Sequence, residues 1–206
     1  MPLSTTPVRA ASGEGLACAL TFDDGPNGKD TAALLDFLGA REIRAVFAVI
    51  GEQIRAPGGA GLLRRTVAEG HVLCNHSTSF ADMGEWEADA VRADMERNLG
   101  IIRGALGDAD APVPFWREPN GSWGVTAQVA VELGMQPLDV VNTIEDWIDQ
   151  EEDVLAARLR DVMTPRELVL VHDGGGDRAG SVAAVKTVVA ERLAQGWSFT
   201  LPEADR

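Results

Sequence analysis

The stretch ALTFDDGP, Ala19–Pro26, runs from apolar strand formers into two adjacent carboxylates and then a Gly-Pro turn. Neighbouring carboxylates repel, so both ionise only where a cation or hydrogen-bond donors compensate. The Gly-Pro pair fixes a tight turn that aims the two side chains. The same kind of junction recurs along the chain. HVLC (His71–Cys74) leads into Asn75-His76, VPFW (Val113–Trp116) into Arg117, and LVLV (Leu168–Val171) into His172-Asp173. Polar groups therefore gather where strands end, the face on which parallel α/β sheets and barrels build their active sites.

Working outward, seven short apolar runs are spaced along the sequence: LACALTF, IRAVFAVIG, HVLC, VPFW, MQPLDVV, ELVLVH and WSFTL. Between them lie helical periods, such as Val91, Met95, Leu99, Ile102 and Leu106, or Val182, Val185, Val189 and Leu193. Strand-helix alternation of this kind predicts an α/β fold, a parallel sheet with crossover helices that is either a barrel or doubly wound.

With 206 residues and no repeat or low-complexity linker, residues 1–206 read as a single domain, with 1–15 a loose N-terminal segment. The opening MPLSTTPVRAASGEG lacks the apolar core of a secretory signal, and no run is long enough to span a bilayer. A cytoplasmic protein with no membrane partner is expected. Cys18 and Cys74 lie inside apolar runs and read as buried thiols rather than a disulfide. The net charge of −14, with basic residues scattered, argues against nucleic acid as a partner and tolerates a neutral or cationic small-molecule substrate.

The polar residues at the strand ends suggest chemistry. A water-activating site needs a base and a metal ligand, roles that Asp23 and Asp24 could divide. His76 is a candidate ligand, whereas His71 falls at a strand start. Arg117 could hold an aspartate by a bidentate salt bridge, and backbone amides of the Pro119-Asn120-Gly121 turn could face an oxyanion. His172 is a candidate general acid whose pKa and tautomer Asp146 would set, with Trp147 a flat wall beside them.

Taken in order, ALTFDDGP, RAVFAVIG, GHVLCNH, FWREPNG, EDW and LVLVHDG resemble the NodB-type polysaccharide deacetylases, the fourth carbohydrate-esterase family. The resemblance covers nearly the whole chain. It implies a distorted (β/α) barrel of about seven parallel strands. It also implies removal of N- or O-acyl groups, typically acetyl from amino sugars, by metal-activated water. By position it makes Asp23 the base, Asp24 and His76 ligands of a divalent metal, zinc foremost, and Arg117 the tether of the base. The Asn120 amide falls at the oxyanion hole. His172 matches the general acid with Asp146 its partner, and Trp147 and Leu170 line the acyl pocket.

The sequence departs from the family pattern at two places. Glu118 and Asn120 occupy a turn that usually carries an aromatic residue before its glycine. More seriously, His76-Ser77-Thr78-Ser79 is followed by Phe80 where the family has its second histidine ligand. Catalytic zinc usually has three protein ligands plus water. Asp82, Glu85, Cys74 or Glu118 could supply the third bond, substrate or water could complete a loose site, or the metal could be lost. Phe80 would in any case make the pocket drier and substrate-facing. The expected activity is hydrolysis of an acyl group, foremost N-acetyl, from an amino-sugar-like or specialised small metabolite. The rivals are a metal-independent lyase, cyclase or isomerase, and a non-catalytic sugar-binding protein.

Overall fold

The computed structural model describes residues 3–140 and 142–203. All seven apolar runs contribute strands: β1 (Ala17–Gly25), β2 (Val46–Val49), β3 (Val72–Asn75), β4 (Phe115–Trp116), β5 (Gln136–Pro137), β6 (Leu168–His172) and β7 (Ser198–Thr200). The helices between them are α1 (Gly28–Gly39), α2 (Gly51–Arg55), α3 (Gly59–Ala68), α4 (Ala88–Leu106), α5 (Thr126–Glu132), α6 (Glu152–Val162) and α7 (Ala179–Ala194). Every ladder is parallel, in the order β5-β4-β3-β2-β1-β6, with β7 added against the first residues of β1. This is the curled, distorted (β/α) barrel that the motifs implied.

Strand alternation divides the core in two. Cys18, Leu20 and Phe22 of β1 and Phe47 and Val49 of β2 turn outward, into the large cluster under the helices. Ala19, Val46, Ala48, Cys74, Phe115 and Leu168 turn inward and form a smaller cluster in the barrel. Along the inward face of β1 the side chains change from Ala19 to Thr21 to Asp23. The barrel axis therefore becomes polar toward the strand C-terminal ends. Both cysteines are buried free thiols, and burial pushes the Cys18 thiol up to about 12.

Residues 1–15 are not loose throughout. Val8 bridges Leu138 beyond β5, Ala10 bridges Glu167 before β6, and Ala11 bridges Pro202. Backbone bonds from Val8 to Pro137, Ala11 to Arg166 and Ser12 to Leu201 fix the segment at 2.8–2.9 Å. The physical reason is the gap in the sheet: β5 and β6 share no ladder, and an unpaired edge leaves backbone groups to be satisfied. Residues 8–12 satisfy them. Among the described residues no helix is long and apolar enough to cross a membrane.

Candidate active site

Simple alternation would send Asp23 and Asp24 to opposite faces of β1. The ladder with β2 shifts register between Asp23 and Gly25, and Asp24 takes a left-handed backbone at φ 74°. This bulge turns both carboxylates into one cavity. The left-handed conformation costs an ordinary residue about 1–3 kcal/mol and clusters at functional sites. Ser77 (φ 70°), Asn120 (φ 63°) and Glu145 (φ 52°) share it, each beside or within a candidate motif. Gly174 completes the turn, because a methyl group there would lie 2.0 Å from the Asp24 carbonyl oxygen.

The cavity measures about 580 Å³ and contains Asp23, Asp24, His76, Arg117 and His172. Arg117 Nη1 donates to Asp23 Oδ1 at 2.6 Å and to Thr21 Oγ1 at 2.9 Å. The expected bidentate bridge is not formed. Nη1 is shared between the two acceptors, Nε turns to the Leu138 carbonyl, and Nη2 has no hydrogen-bond partner among the described residues.

Across the cavity, His172 Nδ1 lies 2.7 Å from Asp146 Oδ1. Asp146 Oδ2 accepts from the His172 amide at 2.9 Å and from Ser181 Oγ at 2.7 Å. Burial alone would depress the His172 pKa, but the Asp146 bond and nearby negative charges outweigh it and raise the value. Burial would likewise raise Asp146, yet the same bond holds its carboxyl below the usual range. Asp146 itself sits behind the cavity wall. Trp147 stands edge-on to His172 with ring centroids 5.5 Å apart, and Leu170 lines the wall beside them.

His76 Nδ1 lies 2.7 Å from the Arg117 carbonyl oxygen, to which it can only donate. Nε2 therefore faces Asp24 Oδ1 at 3.4 Å and Asp23 Oδ2 at 3.7 Å. A nitrogen lone pair opposed to two carboxylate oxygens requires a cation between them, a proton or a metal ion. Burial pulls the His76 pKa down, but Asp23 and Asp24 raise it overall; burial pushes Asp24 up, but His76 brings it below its ordinary value.

Asp24 and His76 are thus two suitably opposed donors, but the third is missing. Phe80 occupies its position, and among the described residues no three His, Cys, Asp or Glu groups could hold a metal ion together. Of the four alternatives, Asp82, Glu85 and Cys74 do not line the cavity. Glu118 does, but its carboxylate oxygens are enclosed. Burial pushes its pKa up to about 7, against the Ser122 and Met83 amides, which favour the ionised form without reaching hydrogen-bond geometry. The residues present do not fit the three-ligand ion that the resemblance implies. Nor does Phe80 dry the site: it is 41 % exposed at the rim, its carbonyl held by Asn120 Nδ2 at 3.0 Å.

Several supporting residues escaped the motif reading. Asp94 of α4 accepts from Ser77 Oγ at 2.7 Å, the Thr78 amide at 3.0 Å and the Thr78 hydroxyl, fixing the turn between His76 and Phe80. Its signal was present: an acid next to Met95 on the stripe that also carries Val91 and Ile102. Asp94→Ala is expected to lower unfolding free energy by about 1–3 kcal/mol, read by urea denaturation. An unchanged midpoint would show that the turn stands without it. Arg178 donates to the Gly174 and Asp146 carbonyls at 2.7 and 2.9 Å, joining both sides of the site. No local pattern marked Arg178 or Ser181.

The polysaccharide deacetylase family profile matches residues 12–138. A chitooligosaccharide deacetylase of Sinorhizobium fredii (strain NBRC 101917 / NGR234) is 32% identical over 161 residues, covering 75% of this chain and 71% of that protein. The crystal structure of the Bc1960 peptidoglycan N-acetylglucosamine deacetylase matches at TM-score 0.83 and 25% identity, covering 94% of this chain and 89% of that one. Wild-type BA3943 from Bacillus anthracis, described as a CE4 family pseudoenzyme, matches at TM-score 0.84 and 20% identity, covering 97% and 68%. At that identity it speaks for the fold alone. With its motifs on one barrel face and most of its length matched, the chain belongs to the polysaccharide deacetylase family and is a deacetylase-type hydrolase.

Proposed function

We propose that this protein removes an acyl group, foremost N-acetyl, from an amino-sugar substrate by attack of water. The observation that carries the reading is the opposed pair of anchored groups, Asp23 held by Arg117 at 2.6 Å and His172 held by Asp146 at 2.7 Å, facing one cavity. Asp23, kept oriented by Arg117, takes a proton from the attacking water. The amide of Asn120 faces the oxygen that becomes negative, and His172 gives its proton to the leaving amine. Trp147 and Leu170 enclose the acyl methyl. Asp24 and His76 are two donors of a set of three, so no step is assigned to an ion.

The relatives named above act on chitooligosaccharide and on peptidoglycan N-acetylglucosamine, which makes a β-linked N-acetylglucosamine unit the first substrate to try. Acetate release from N-acetylated chitooligosaccharides is expected, with the rate falling as pH rises through the raised His172 pKa. A rate that instead climbs with pH across that range would remove His172 from the acid role. The binding-protein reading would be left standing by tight saccharide binding without any acetate.

A further inference from the structure

The basic residues are scattered in the sequence, but the fold gathers three of them. A groove of about 650 Å³ runs between the α2–α3 pair and α4, and Arg55, Arg64 and Arg97 line it. It shares no lining residue with the cavity that holds Asp23 and His172. Although the chain has a net charge of −14, no carboxylate lines this groove. Eight other basic side chains sit in ion pairs, whereas none of these three does among the described residues. Three like charges on one groove repel one another, and no acidic neighbour in the lining relieves them.

The groove is also held open. Gly61 of α3 and Gly100 and Gly104 of α4 line it, and a methyl group on any of them would meet nothing within 4 Å. Glycine is the poorest helix former after proline, and alanine would fit at all three positions without a clash. Close packing therefore does not account for these glycines. They leave helix backbone bare along the groove, where a ligand gains close approach. Arg64 is fixed across it, its Nη1 donating to the Ala105 carbonyl of α4 at 2.7 Å, whereas Arg55 and Arg97 make no side-chain hydrogen bond among the described residues.

We infer that this groove is a binding site for a diphosphate group, free or carried on a small organic molecule. A guanidinium fork matches phosphate oxygens with two parallel bonds, and three forks on the two walls of one groove suit an anion charged at both ends. The size agrees. From Arg97 to Ala105 the α4 wall runs about 12 Å, and pockets for small molecules hold about 300–1,000 Å³. That length is too short for a docked protein, whose interface buries about 800 Å² on each partner. Nucleic acid would meet three contacts on an otherwise repelling chain. Ile54 and Ile101 offer an apolar wall to an organic group. The site stands apart from the deacetylase reading and does not depend on it.

The test is calorimetric titration of the intact protein, at low ionic strength, with inorganic pyrophosphate, sulfate, ADP and a glutamate-rich peptide. Pyrophosphate is expected to bind at least tenfold more tightly than sulfate. Arg55→Gln and Arg97→Gln are each expected to weaken it about tenfold, the value of one charge-assisted bond. Both side chains are exposed, so the fold is retained. Gly100→Leu is expected to keep or raise the thermal midpoint, since it adds a better helix former, while lowering the pyrophosphate affinity by filling the groove. ADP separates the two sources: binding tighter than that of pyrophosphate supports a carried diphosphate seated against Ile54 and Ile101, and equal binding supports a free one. Pyrophosphate affinity no better than that of sulfate, or unmoved by both arginine substitutions, overturns the site. Tighter binding of the glutamate-rich peptide overturns it in favour of an acidic protein partner.

Discussion

In the Phe80→His variant, zinc is expected to bind about 10²–10³-fold more tightly than in the unmodified protein, from about 10–16 kcal/mol shared among the four ligands of a structural site. The argument starts with His76. Its Nδ1 is committed to the Arg117 carbonyl, which orients Nε2 toward Asp24 Oδ1 at 3.4 Å before any ion arrives. Such a second contact fixes tautomer and ring direction in histidines that bind metals. The Phe80 ring opens on the same cavity, and its backbone is held by Asn120. An imidazole there would add the donor that completes three, the usual protein complement of a catalytic zinc. Metal analysis and calorimetry of both proteins decide the matter. Stoichiometric zinc in the unmodified protein, at an affinity the variant does not improve, would mean that a third ligand already exists.

The second large effect concerns the other half of the site. Asp146→Asn is expected to lower kcat by about 10²–10⁴-fold, the usual weight of a positioned acid and of the carboxylate that orients it. Asparagine keeps the shape but loses the charge, and its amide can present a donor to His172 Nδ1 where an acceptor is needed. The sign of the pH effect follows. Burial alone would lower the His172 pKa, and Asp146 is the leading influence that raises it. In the proposed mechanism His172 acts protonated, so activity is expected to fall as pH rises through this raised pKa. Without the Asp146 charge that loss begins at lower pH. A pH–rate profile of the variant whose alkaline limb stays in place would show that Asp146 only holds the wall together. Circular dichroism controls for folding, because Asp146 also accepts from Ser181 and the His172 amide.

Much of the fold was legible because apolar runs and helical periods report which faces are buried. Each of the seven runs contributes a strand, and the stripe from Val91 to Leu106 lies within α4. The candidate residues were legible because they stand where those runs end. What could not be read is how the chain departs from regularity. Alternation along β1 predicts Asp23 and Asp24 on opposite faces, and only the bulge before Gly25 places both in the cavity. The Arg117 bridge was the right pair in the wrong geometry, because Thr21 competes for the same nitrogen. Ser181 and Arg178 reach Asp146 across more than thirty residues, a separation no spacing rule spans. Phe80 was legible as a missing donor but not as an exposed ring at the cavity rim.

The strap of residues 8–12 has a consequence for the topology of the chain itself. Ala10 and Ala11 lie against Glu203 and Pro202, so the two ends of the described chain run side by side on the barrel floor. A short linker could join them there and new ends could be cut at the exposed Asp108–Asp110 turn after α4, giving a circularly permuted protein with the same seven strands. Such a permutant keeps the strap covalently tied at both sides of the seam, and the catalytic face, at the opposite ends of the strands, is left as it was.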